Sequence, residues 1–128
     1  VTRTRITFTD DATKPRVGVM AAGVYWYTYI RNGVLYARRF ASNTLEAEIQ
    51  IADPASWADV VVDPDGTTGW IVWVSDEALF RVPVTNLTTD PLAGVTTVRS
   101  DGWADDVAYD SGRGAQVSWT VNGVELLR

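Results

Sequence analysis

Large aromatic residues at recurring positions are the side chains of this chain best placed to do chemistry. Tyr29, Trp73 and Trp119 each lie three residues before a turn, at Asn32-Gly33, Asp76-Glu77 and Asn122-Gly123. Three equivalent rings either form platforms for sugars or fill the wedge between neighbouring sheets, and aromatic side chains dominate core burial. Core filling is the expected role. Trp57 and Trp103 recur in matching contexts, Ser56-Trp57-Ala58-Asp59 and Gly102-Trp103-Ala104-Asp105, which read as connections between repeats. A Trp exposed in such a connection would stack on a glycan or anchor an interface; the competing role is local packing over a sheet edge. Trp57, Trp103, Tyr29, Trp73 and Trp119 are therefore the candidate ligand-binding residues. In the first repeat Lys14 takes the Trp position, and Arg16 takes that of Asp59 and Asp105.

Catalytic candidates are lacking. The chain contains neither His nor Cys, which removes a His base, thiolate chemistry and Cys/His zinc sites. Glycoside hydrolysis needs two carboxylates flanking the bond, or a Tyr nucleophile in sialidases, and no spacing marks such a set. Asp63-Pro64-Asp65-Gly66 has two carboxylates, whereas a calcium loop supplies six or more oxygens. Asp-Pro-Asp-Gly is also a tight-turn sequence, and the turn is the expected reading. No cofactor or metal motif appears. The net charge of −5 disfavours a nucleic-acid groove, because phosphate binding requires a basic face.

The elements that would position these residues are strands. Val24 to Ile30, Asn32-Gly33, then Val34 to Phe40 is a hairpin signal: aromatic and β-branched runs around Asn-Gly. Ala115 to Val121, Asn122-Gly123 and Val124 to Arg128 repeat it, and Trp70 to Val74 with Ala78 to Val84 forms a middle copy. The copies are spaced by about 45 residues. A preceding strand is predicted in each copy, at Arg5 to Thr9, Glu48 to Ala52 and Val95 to Arg99. No helix is predicted, and Thr85 to Gly94 reads as a polar loop. The expectation is a single all-β domain over residues 1–128 in three four-stranded repeats, about 1–45, 46–93 and 94–128. Propeller-like blades fit this strand order, with the β-trefoil as the alternative. No apolar run approaches the ~18 residues of a membrane span. Val1-Thr2-Arg3-Thr4-Arg5 lacks the apolar centre of a signal peptide, so either that export route is not used or the chain is already mature.

Three segments carry a family resemblance. Pro15-Arg16-Val17-Gly18-Val19 with Val24 to Tyr29, Asp59 to Gly66 with Ile71-Val72-Trp73, and Asp106 to Asp110 with Val117-Ser118-Trp119 resemble blades of sialidase-type (BNR-like) propellers. The family's Asp-box, Ser-x-Asp-x-Gly-x-Thr-Trp, is replaced by Ser42-Asn43-Thr44-Leu45-Glu46. The resemblance implies the fold more than the activity. It also implies an arginine near the position of Arg16, but Lys14-Pro15-Arg16 departs from the family's Arg-Ile-Pro type motif.

The function expected from these readings is non-enzymatic: a structural or assembly protein, specifically a phage virion component of tail, portal-adjacent or decoration type. A lectin-like carbohydrate-binding module is the alternative, using the Trp residues or the clefts between repeats. A fragment of a sialidase-like glycosidase is a third reading. The expected partners are a second copy of the chain or other virion proteins, with a glycan as possible ligand. A homo-oligomer, most simply a two-fold dimer, is expected because the outer strand Arg5 to Thr9 of one copy can complete the last blade of the other beside Val124 to Arg128, and proteins avoid exposing open sheet edges. The expected location is the virion, and otherwise a soluble setting in no particular compartment.

Overall fold

Tight two-residue loops fold the chain back on itself. The computed structural model describes residues 12–63, 65–76, 78–99, 103–110, 114–121 and 124–127. At Asn32-Gly33 both central residues have positive φ, 53° and 76°, as a type I′ turn requires, and Arg31 pairs with Val34 across it. This turn has the twist of the strands it joins, so β2 (Val24–Arg31) and β3 (Val34–Ala41) stay paired from Arg31 and Val34 to Tyr25 and Phe40. Ser42 and Asn43, at φ of 52° and 59°, do the same between β3 and β4 (Thr44–Leu45). The segment standing where the Asp-box would lie is thus a hairpin turn. Asn122-Gly123 lies outside the described residues.

The chain is all-β, with three antiparallel sheets among the described residues. In the first, β1 (Ala12–Met20), β2 and β3 run in order, and both β4 and β5 (Ile49–Ala52) pair with β3. The second is β6 (Trp57–Val62), β7 (Gly69–Ser75), β8 (Ala78–Pro83) and β9 (Thr96–Arg99). The third is β10 (Trp103–Asp110), β11 (Gly114–Val121) and β12 (Val124–Leu127). The repeats at about 46–93 and 94–128 each hold four strands, but the opening strand of each joins the preceding repeat's sheet, β5 pairing with β3 and β9 with β8. Among the sheets, the second has four strands. The outer strand of the first is split in two, and the third has three strands among the described residues; the predicted strand Arg5 to Thr9 lies outside them. No barrel closes among the described residues.

Strand alternation gives each sheet two distinct faces. Trp26, Ile30, Leu35 and Ala37 of the first sheet meet Ala58, Val60, Ile71 and Trp73 of the second in the main core. On the other face of the second sheet, Val61, Val72, Val74 and Leu79 form a smaller core, and β10 lies against β6 and β8. The sheets therefore stack in chain order.

Residues 85–94, read from sequence as a polar loop, contain more structure than expected. Val84–Leu87 forms one helical turn, α1, and Pro91–Gly94 a 3-10 turn. Val84 and Leu87, three residues apart on α1, are both buried in the main core. Two apolar residues are too short a pattern to reveal a helix; packing between sheets selects it.

Candidate functional site

The first sheet carries its aromatic side chains on the face turned away from the second. Alternation along β2 puts Tyr25, Tyr27, Tyr29 and Arg31 on that outer face, opposite Phe40, Arg38, Tyr36 and Val34 of β3. Val17 and Val19 of β1 pair with Tyr27 and Tyr25 and extend the face. Tyr25 stacks on Tyr27 with ring centroids 6.4 Å apart and meets Phe40 edge-on at 6.2 Å. Tyr29 stacks on Tyr36 at 5.9 Å, and the Arg31 guanidinium lies 4.3 Å from the Tyr36 ring centroid. Such contacts favour offset or edge geometry and add to area burial.

One end of this face is held by a carboxylate. Glu48 accepts two hydrogen bonds from Arg31, Nη1 to Oε2 and Nη2 to Oε1, both at 2.9 Å. The Tyr29 hydroxyl donates to the same Oε2. This bidentate geometry is the strong form of the Arg–carboxylate pair. The Arg31 hydrogen bonds hold the Glu48 carboxyl below its usual range, against the opposing effect of burial. Burial first, and then the Glu48 hydrogen bond and charge, raise the Tyr29 pKa well above its ordinary value. Tyr29 is 1% exposed, so its hydroxyl is protonated at neutral pH and closed to a substrate. That is the opposite of what a Tyr nucleophile needs.

These shifts set a pH dependence. A carboxyl whose folded pKa is lowered stabilises the fold above its ordinary value of 4.5, and that stability is lost as pH falls through the lowered value. A raised Tyr pKa stabilises below the ordinary 10.0, with loss as pH rises further. Glu48→Gln should cost about 1–3 kcal/mol at neutral pH through the weakened partners of the Tyr29 hydroxyl. It should also flatten both the acid and the alkaline limbs of thermal stability against pH. Melting followed by circular dichroism across pH tests this; a variant with both limbs unchanged would show that the network does not bear on the fold.

A cleft of about 600 Å³ opens between the first two sheets, at the end carrying the β1–β2 turn and α1. Met20, Val24 and Val84 give it apolar walls, and the Arg39–Glu46 ion pair with Thr88 gives polar ones.

The five candidate aromatics are not brought together. Tyr29 and Trp73, at 1% and 3% exposure, have no free face for a sugar and act as core residues. Trp57 is not in a connection between strands: it opens β6, paired with Val74, and packs against the smaller core. Trp103 likewise opens β10, paired with Thr120, and Trp119 pairs with Ala104. Arg16 lies 3.8 Å from the Asp59 carboxylate, so the arginine and the Asp at its equivalent position link the first two sheets. Asp63 and Asp65 do turn work: the Thr67 amide donates to the Asp65 carboxylate at 2.8 Å and the Gly66 amide to the Asp63 carbonyl at 2.8 Å. No three His, Cys, Asp or Glu side chains cluster to hold a metal among the described residues. No helix among them is long and apolar enough to cross a membrane.

Tyr25, Tyr27, Phe40, Val17 and Val19 were not among the sequence candidates. Their signal was the period of two in Tyr25-Trp26-Tyr27-Thr28-Tyr29, which aligns three tyrosines on one face. Comparison with protein-family models, curated proteins and solved structures finds no match to this chain.

Proposed function

We propose that this chain is a non-enzymatic structural or assembly module whose sheets are propeller-like blades. The observation that carries the reading is the outer face of the first sheet. Val17 and Val19 are 52% and 57% exposed there, bordered by the half-buried Tyr25, Tyr27 and Phe40. A contiguous apolar and aromatic surface of this kind marks an interaction site, and rigid aromatics are favoured at interfaces. The blade assignment is supported by the chain-order stacking of the sheets and by equivalent ring pairs in the first two, Tyr29 with Tyr36 and Trp73 with Phe80. A phage virion is the setting proposed for such a module, on the strength of its repeats, its lack of Cys and its aromatic content.

The lectin-like reading rests on a different observation, the cleft beside Arg39 and Glu46. Purified protein tested on aryl glycosides, including sialosides, and on a glycan array should show neither turnover nor selective binding. Turnover abolished by a single carboxylate or Tyr substitution would replace the proposal with a glycosidase. Selective glycan binding lost in Arg39→Ala would replace it with a lectin.

A further inference from the structure

The outer face of the first sheet is one end of the sheet stack, and the internal repeat indicates what it lacks. Tyr29 and Trp73 occupy equivalent positions: they stack on Tyr36 and Phe80 at 5.9 and 5.7 Å, with interplanar angles of 24° and 21°. Two residues earlier in each strand, Tyr27 is equivalent to Ile71, so their cross-strand partners Val17 and Val60 are equivalent too. A further step, through Tyr25 and Gly69, makes Val19 equivalent to Val62. Val60 is 8% exposed because the first sheet lies on it; the Cβ that Gly18 lacks would stand 2.3 Å from Val60 Cγ1. Val17, the same position one repeat earlier, is 52% exposed. The first sheet therefore covers Val60 of the second, while no described residue covers Val17 and Val19 on its own corresponding face.

We infer that the outer face of the first sheet is covered by the third sheet of a second copy of this chain, continuing the stack head to tail. The inference rests on reading the chain as an assembly module. The occupant follows from the direction of the stack. Each sheet presents one kind of face to the next: the first sheet lies on the second, and the second meets β10 of the third on its opposite side. The sheet that follows the same rule onto Val17 and Val19 is the last of the series, and within one chain that sheet is at the far end. Three blades are fewer than the about four to eight that close a propeller ring. Two copies supply six, and two identical head-to-tail contacts then close the assembly with two-fold symmetry.

The test is the mass of the purified protein by light scattering, in the parent and in two charge substitutions of exposed valines. Val19→Glu places a carboxylate in the contact. Val98→Glu, at a residue of β9 that is 47% exposed, makes the same change away from it. The parent and Val98→Glu should be dimers and Val19→Glu a monomer that still melts cooperatively. A parent monomer at micromolar concentration, a dimer that survives Val19→Glu, or one dissociated equally by Val98→Glu would overturn the inference. The direction of contact has its own readout, because Val19→Cys would introduce the only thiol in the chain. Head-to-tail stacking keeps two such thiols apart, so oxidation of the dimer should leave it unlinked. A disulfide between copies would mean that like faces meet, which overturns head-to-tail stacking. None of these outcomes alters the turnover and glycan measurements, so the two readings fail separately.

Discussion

Trp73→Ala should destabilise the domain by about 3–5 kcal/mol, the range for removing a large aromatic from a core. Trp73 is 3% exposed, lies in the core between the first two sheets and stacks on Phe80 at 5.7 Å. Its neighbours Ile71, Val60 and Ala58 sit on strands whose backbones are tied by paired hydrogen bonds. They cannot move in to fill the space, so the substitution loses the transfer free energy of the ring and leaves a cavity as well. For a domain of this size the loss corresponds to about 10–20 °C in melting temperature. Trp57→Ala provides the contrast, since Trp57 is only half-buried at the opening of β6 and should cost clearly less. Equal effects for the two, measured by urea unfolding, would show that the core is not where these contacts place it. The comparison also separates the two roles considered for the recurring aromatics: a platform can be lost without unfolding the protein, and a wedge in the core cannot.

Gly18→Val should cost about 3 kcal/mol, the upper part of the usual range for overpacking a core. A Cβ at Gly18 would stand 2.3 Å from Val60 Cγ1 and 3.0 Å from both Val60 Cβ and Val62 Cγ2. The obstruction is a β-branched side chain restricted at χ1, not the end of a flexible one. Relief therefore requires β1 and β6 to separate, which opens the main core. Conformational freedom is not the issue at this glycine, since it lies in regular pairing opposite Trp26; close approach of the two strands is. Chemical denaturation of Gly18→Val and of the control Val17→Ala, one residue along on the exposed face, tests the account. A Gly18→Val protein as stable as its parent would mean that the first two sheets do not stack with β1 on β6.

How much of this was legible in the sequence follows from the range of the interactions involved. The hairpin at Asn32-Gly33 was, because a type I′ turn is a local property of two residues with positive φ, and Asn-Gly is the commonest way to supply them. The strands were, because alternation with period two is written directly in runs such as Tyr25 to Ile30. The turn at Asp63 to Gly66 was as well, since its hydrogen bonds span at most a few residues. The helical turn at Val84–Leu87 was not: one turn has almost no intrinsic stability, and only the core that buries Val84 and Leu87 selects it.

The candidate site shows the same division. Its raw material, three tyrosines on alternate positions of β2, was present in the sequence, yet alternation cannot say which of two apolar faces ends up covered. That choice was made by stacking. The face bearing Trp26 and Ile30 meets the second sheet, which leaves the face bearing Val17, Val19, Tyr25 and Tyr27 outside. Trp57 shows the reverse, a residue whose type and spacing suggested a loop platform but which lies on a strand against the smaller core. The Tyr29–Glu48–Arg31 network joins residues up to 19 apart in the chain and had no sequence signature at all. By itself, then, the sequence determined the β class, the local turns and the absence of His and Cys chemistry, all properties of composition or of neighbouring residues. Only the tertiary structure decided which faces are buried, which aromatics remain available and where the charged network forms, because each depends on contacts between sheets that no local pattern encodes.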